Sequence, residues 1–257
     1  MSGELLTIKL GGVAGAHAGA LSVLTERAAA GWVIVHGGGN EVGGWSRRLG
    51  LEPTTVDGLR VTDAATLDVA VAVLRGLVNA RLVAGFVAEG VPAIGLGGAD
   101  GDLLVARRFD PRLGEVGRIV RVNTGLLATL AENGHIPIVA PIARGDGDEL
   151  LNVNADEAAG AIAAARGGRL LLLTDVPGVQ RQGQLVASLA ADEAEALIAD
   201  GTAQGGMVPK LRAALVAATA GCEVAIVNGT DPDAVRAALD GTPTGTTVSA
   251  ASAARIG

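Results

Sequence analysis

The chain is short of what disulfide scaffolds, nucleic-acid readers and membrane spans are built from. It carries one cysteine in 257 residues, Cys222, which excludes an internal disulfide and a Cys-rich metal site. Cys222 stands just before the apolar run 224–227 with no activating neighbour in sequence, so it reads as a small buried residue rather than a nucleophile. There is no tyrosine and aromatic residues make up only 2%, which removes base-stacking platforms. A net charge of −7 disfavours general binding to nucleic acid, whose phosphates need a basic surface. Although 49% of residues are hydrophobic, no uninterrupted apolar stretch reaches the roughly 20 residues of a membrane span. The longest runs, such as 170–173, are strand-length. The opening Met1-Ser2-Gly3-Glu4 lacks the basic region of a secretory signal. The expectation is a soluble cytoplasmic protein that binds neither nucleic acid nor membrane.

What is present is alternation. Apolar runs at 5–10, 32–35, 93–96, 137–140, 169–174 and 223–227 read as strands. They are continuous rather than alternating, as expected when helices cover both faces of a sheet. Between them lie helical patterns at 19–30, 64–73, 77–89, 124–133, 156–165, 192–198, 210–220 and 232–239. Thr124 is suited to cap one helix, and Asp231-Pro232 places a cap residue before a proline at the first helical position. The pattern predicts an α/β protein with a mainly parallel open sheet. Residues 51–63 and 102–123, rich in Asp, Arg, Gly and Pro, read as hairpins or flaps over a site. A soft boundary at Gly167-Gly168 divides the chain into a lobe at 1–166, assigned to substrate, and a lobe at 167–257, assigned to nucleotide.

Four separated pieces suit the holding of phosphates: Lys9-Leu10-Gly11-Gly12, His36-Gly37-Gly38-Gly39-Asn40, Asn152-Val153-Asn154-Ala155-Asp156 and Gly205-Gly206-Met207-Val208-Pro209-Lys210. Phosphoryl transfer asks a protein mainly for positioning and charge neutralisation. Lys9 closes the first strand, so its ammonium can project from the sheet's carboxyl edge, where open α/β sheets bind ligands; alone it would pass for a surface lysine. The glycines after His36 let backbone N–H groups approach oxygens, but they match neither the P-loop nor the dinucleotide fingerprint. His36 itself reads as structural, bonded to the backbone. Arg60 offers two parallel hydrogen bonds to a carboxylate, or an ion pair with Asp57 or Asp63. Asn152 and Asn154 can donate to a carboxylate. Asp156 could cap its helix or bridge Lys9 and Lys210. Thr174-Asp175-Val176-Pro177-Gly178 follows a strand, so its polar atoms suit ribose, phosphate or metal contacts, or simply a turn.

Taken in order, these motifs resemble the amino acid kinase family along nearly the whole chain. They are Ile8-Lys9-Leu10-Gly11-Gly12, His36-Gly37-Gly38-Gly39, Gly58-Leu59-Arg60-Val61-Thr62-Asp63, Gly76-Leu77-Val78-Asn79, Gly95-Leu96 with Asp100-Gly101, Asn152 to Asp156, Leu173 to Val179, and Gly206 to Lys210. The likeness is greatest to the branch that acts on N-acetylglutamate. It implies a three-layer αβα sandwich and ATP-dependent phosphorylation of the side-chain carboxylate of N-acetyl-L-glutamate, in arginine biosynthesis. It implies that Lys9 and Lys210 stabilise the transferring group and that Asp156 orients them. Gly11, Gly12, Gly38 and Gly39 would donate backbone hydrogen bonds near the γ-phosphate and substrate, and Arg60, Asn152 and Asn154 would hold the substrate. Thr174, Asp175, Val176, Gly178, Gly206 and Met207 would line the nucleotide site, with Mg²⁺ held mainly by the phosphates. A homodimer through the N-terminal lobe is implied too. With only about four residues before the first strand, insensitivity to arginine is expected. Asn40, Ala80, Gly97 and Ala99 depart from the residues usual in the family and bear on acyl-group preference.

The attacking carboxylate is ionised at neutral pH, so no general base is needed; a flat pH profile near neutrality and no essential histidine are expected. Three alternatives compete. A kinase of carrier-bound α-aminoadipate would want a basic rim, against the acidic balance here. A non-catalytic sensor would not need the lysines, since binding requires no transition-state stabilisation. An oxidoreductase lacks its G-x-G-x-x-G.

Overall fold

The computed structural model describes residues 4–11, 18–56 and 59–250. Eight strands form one sheet in the order Ser188–Ala190, Thr246–Ser249, Glu223–Asn228, Arg169–Thr174, Leu6–Leu10, Trp32–His36, Ile136–Ala140 and Ala93–Gly97. Neighbours run parallel except where Glu223–Asn228 meets Thr246–Ser249. Helices cover both faces, and the expected αβα sandwich with a mainly parallel open sheet is what forms.

Strand alternation sorts side chains between two cores. Leu6, Ile8, Leu10, Leu171 and Leu173 pack on one face with Val23, Leu24 and Val235. Leu170 and Leu172 pack on the other with Ala159, Ile162, Leu211 and Ala214. Period two therefore turns Lys9 toward the second face, under the helices Ala155–Arg166 and Met207–Thr219. In-register pairing of Leu10 with His36 and with Leu173 brings three sequence motifs to a single carboxyl edge.

Six strands stand where sequence alternation places them. The short strands Ser188–Ala190, at the sheet's edge, and Thr246–Ser249, next to it, do not read as strands, since three or four residues carry too little pattern. The stretch 51–63 contains the hairpin Thr55–Val56 and Leu59–Arg60. The stretch 102–123 supplies the antiparallel pair Leu104–Arg108 and Gly117–Val122, which joins Ile142–Arg144 and Leu150–Asn152 in a second sheet.

Three local expectations are corrected. The helical patterns 64–73 and 77–89 are one continuous helix, Ala64–Ala88, with a π-helical segment over Val71–Val78. Gly76 falls in the gap between the two patterns, and burial of Val73, Leu74 and Val78 on both sides of it carries the helix through. By length and composition this helix, with a mean hydropathy of 1.6, is the one among the described residues long and apolar enough to cross a membrane. Here Val69, Val73, Leu82 and Phe86 pack in the sheet's core. The second correction concerns caps. Asn123, not Thr124, caps Thr124–Glu132, accepting from Leu126 N at 3.3 Å. Asp231 caps Pro232–Leu239 as expected. Finally, Asn154 rather than Asp156 caps Ala155–Arg166.

Candidate active site

The helix Ala155–Arg166 starts at the carboxyl edge of the sheet. Its cap, Asn154 Oδ1, accepts from the N–H groups of Asp156 at 2.8 Å and Glu157 at 3.1 Å. Capping by Asn154 frees the Asp156 carboxylate. Lys9 Nζ lies 3.0 Å from Asp156 Oδ1, and Lys210 Nζ 2.8 Å from the same oxygen. The three residues are only 7%, 6% and 5% exposed. Burial would raise the Asp156 pKa, but the two ammonium groups outweigh it and hold it below the usual carboxylate range. Burial pulls the Lys9 pKa below that of a free lysine, an effect Asp156 opposes and Lys210 reinforces. Two ammonium groups against one carboxylate leave the cluster with one positive charge in excess, which suits an anion. These are the chain's only two lysines, all other strong cations being arginine. That is a sequence signal in its own right, because lysine supplies a compact point charge that the planar guanidinium of arginine does not.

Gly11 lies against this cluster. A Cβ there would sit 2.7 Å from Leu173 O and 3.2 Å from Lys9 Nζ, so the position admits only glycine without a shift of the neighbouring backbone. Gly12 lies outside the described residues. On the other side, the turn after His36 has Gly38 at φ 154, a backbone region that disfavours side chains. A Cβ on Gly38 would also meet Leu74 Cδ2 at 2.6 Å.

His36 is buried and behaves structurally, as expected. Its Nδ1 lies 2.8 Å from Gly37 O, and its Nε2 3.1 Å from Asn79 Nδ2. Asn79 Nδ2 also donates to Ile138 O at 2.8 Å. Burial drops the His36 pKa from 6.5 to about 4, with Arg75 adding to the fall.

Arg60 projects from its hairpin over the helix Gly39–Arg48. Its Nη2 donates to Gly39 O at 2.7 Å, while Nη1 is buried and has no partner among the described residues. Asp63 does not pair with it; Asp63 caps the helix at Ala64 by accepting from Thr66 N at 2.8 Å. Asp57 lies outside the described residues. Asn152 donates to Thr62 Oγ1 at 3.1 Å, which ties the hairpin to the second sheet.

Two cavities meet at Lys9 and Asp156. One of about 290 Å³ is lined by Lys9, Gly38, Gly39, Arg60, Asn152, Asn154 and Asp156. Its apolar walls, Val42, Leu59, Leu74, Val116 and Pro141, come from five separate segments, a tertiary convergence that no local pattern announces. The other, of about 350 Å³, is lined by Lys9, Gly11, Asp156, Thr174, Asp175, Val176, Gly206, Met207, Lys210 and also Gln204, which sequence reasoning missed. Lys9 and Asp156 line both. Gly178 lines neither; at φ 153 it packs against Leu185 and Thr246. Asp175 is the exposed carboxylate at the second cavity, and no cluster of three His, Cys, Asp or Glu exists among the described residues. Such a donor set fits an ion that takes most of its ligands from phosphate rather than from a protein cage.

Comparison with known proteins agrees with this geometry. The amino acid kinase family matches residues 4–228. An acetylglutamate kinase of Methanopyrus kandleri is 48% identical over 207 residues, covering 76% of this chain and 84% of that one. One from Rubrobacter xylanophilus is 45% identical over 246 residues, covering 95% and 96%. The crystal structure of smu.665 from Streptococcus mutans UA159 superposes with a TM-score of 0.81 at 26% identity, covering 96% of this chain and 98% of the other. A match over nearly the whole chain, with lysines and glycines gathered at one sheet edge, leads to one conclusion: the chain belongs to the amino acid kinase family.

Proposed function

We propose that the chain phosphorylates the side-chain carboxylate of N-acetyl-L-glutamate with ATP, giving N-acetyl-L-glutamyl 5-phosphate and ADP, a step of arginine biosynthesis. The observation that carries this reading is the pair of cavities sharing Lys9 and Asp156, one holding an unpartnered buried guanidinium nitrogen and the other Lys210. Arg60 Nη1 and the Asn154 amide are suited to bind the substrate's α-carboxylate, and Asn152 lies beside them. This places the side-chain carboxylate toward Lys9. The nucleotide occupies the second cavity, along Thr174–Val176 and Gly206-Met207, with its γ-phosphate at the shared wall.

A carboxylate oxygen attacks the γ-phosphorus, the bond to the β,γ-bridging oxygen breaks, and ADP leaves with that electron pair. No proton moves. The charge that spreads over the phosphoryl oxygens meets Lys9, Lys210 and the N–H of Gly38, which has no partner among the described residues. Asp156 holds both ammonium groups in register. Mg²⁺, bound mainly by the nucleotide phosphates near Asp175, would neutralise charge on the leaving side.

Residues 1–166 form the substrate lobe and 167–257 the nucleotide lobe, and the protein acts as a cytoplasmic homodimer joined through the first. The test is ADP release with MgATP against N-acetyl-L-glutamate, glutamate, N-acetyl-aminoadipate and bicarbonate. Release that depends on N-acetyl-L-glutamate supports the reading. ATP binding without turnover on any of the acids would overturn it.

A further inference from the structure

The mechanism above uses the Gly38 N–H but not the buried pair beneath it, His36 and Asn79. We propose that His36, oriented by Asn79, is a positioning residue that fixes the Gly37–Gly38 peptide so that its N–H faces the transferring phosphoryl group. The inference rests on the kinase reading and adds a part to it.

The argument starts from the imidazole's two nitrogens. Asn79 Nδ2, 3.1 Å from His36 Nε2, has only hydrogens to offer. Nε2 must therefore accept, which leaves the proton on Nδ1, where it is donated to Gly37 O at 2.8 Å. Asn79 is itself fixed. Its second hydrogen goes to Ile138 O at 2.8 Å, and Gly95 lies so close that a Cβ there would overlap Asn79 Oδ1. The chain of bonds runs from the sheet through Asn79 and His36 to one carbonyl.

That carbonyl belongs to the Gly37–Gly38 peptide. No peptide in the described chain is cis, so the N–H of Gly38 points opposite to the Gly37 C=O. Pinning the oxygen toward the buried imidazole turns the N–H to the side on which Gly38 lines the cavity with Lys9. Among the described residues nothing accepts from that N–H. Gly38 has no side chain to resist rotation, and with φ at 154 the glycine turn has many other conformations open to it. The imidazole supplies the order that glycine cannot. A neutral imidazole, its pKa near 4, keeps the same hydrogen bonds throughout the working pH range, so its contribution is consistent with a flat profile.

The test compares steady-state kinetics of His36→Leu, His36→Asn and His36→Gln with the wild type. The amide nitrogen of asparagine sits where Nδ1 does and keeps the donor to Gly37 O. That of glutamine lies one bond further out, near Nε2. His36→Leu should lower kcat about tenfold or more while KM for N-acetyl-L-glutamate and MgATP stays within about twofold. Binding of MgADP with aluminium fluoride and N-acetyl-L-glutamate should weaken by the same factor as kcat. His36→Asn should recover most of the loss and His36→Gln should not. If His36→Leu does not fold, the Asn and Gln pair carries the test alone. Turnover unchanged in His36→Leu, a rise in KM with kcat intact, or Gln matching Asn would overturn the proposal. A wild type without activity on N-acetyl-L-glutamate would overturn the function and this inference with it.

Discussion

Lys9 and Lys210, 201 positions apart in sequence, place their ammonium nitrogens on one oxygen of Asp156 at 3.0 and 2.8 Å. The geometry calls for two compact charges at a fixed separation, which a planar guanidinium does not reproduce. Lys9→Arg and Lys210→Arg should therefore each lower kcat about a hundredfold or more. Circular dichroism and thermal melting would show that the variants are folded.

Asp156→Asn removes the group that reconciles two buried cations. Breaking a buried ion pair from one side costs about 3 kcal/mol or more. The variant should lose that much stability in urea titration at neutral pH as well as activity. Added MgATP should restore part of it, because phosphate replaces the missing negative charge.

Gly160 lies one turn beyond Asp156, and Ala213 lies almost one turn beyond Lys210, where the two helices touch. A Cβ on Gly160 would stand 2.8 Å from Ala213 O and 3.0 Å from its Cα, both of them backbone. Gly160→Val should push the helices apart and part Lys210 from Asp156. The expected signature is a fall in kcat of about tenfold or more with little change in KM for N-acetyl-L-glutamate, measured by steady-state kinetics. Gly160→Ala should show the same effect to a smaller degree.

Arg60 has one guanidinium nitrogen committed to Gly39 O and one left for a ligand. Arg60→Lys keeps a charge but loses the paired donors. KM for N-acetyl-L-glutamate should rise about 30-fold, equivalent to about 2 kcal/mol, with KM for MgATP unchanged.

How much of this was legible in the sequence follows from how local each feature is. Lys9 and the glycines after it declare themselves at the end of an apolar run, as do His36 to Gly39. Lys210 and Asp156 stand out in their motifs, and the scarcity of lysine singles out Lys9 and Lys210 further. Which residue caps the helix was not legible, because Asn152-Val153-Asn154-Ala155-Asp156 offers three cap-competent side chains and only tertiary packing decides among them. Continuity of the helix through Gly76 was hidden for the same reason. The walls from Val116 and Pro141 depend on how the second sheet folds over the first.

His36 ties stability to pH. Its pKa is 6.5 when exposed and about 4 in the folded protein, so the unfolded chain binds the proton first as pH falls. The contribution is intact above pH 6.5 and is lost progressively toward pH 4. A shift of this size amounts to about 3 kcal/mol. Urea denaturation at pH 7.5 and pH 4.5 should show His36→Asn losing less stability between the two than the wild type, by that order of magnitude. Equal losses would mean that the imidazole is not held neutral.

The most direct test of the central claim is the product itself. Purified chain, MgATP and N-acetyl-L-glutamate would be incubated with hydroxylamine, which converts an acyl phosphate to a hydroxamate. The account predicts hydroxamate equimolar with ADP in the wild type and its loss in Lys9→Ala and Lys210→Ala. ADP release without hydroxamate, or hydroxamate undiminished in both lysine variants, would contradict it.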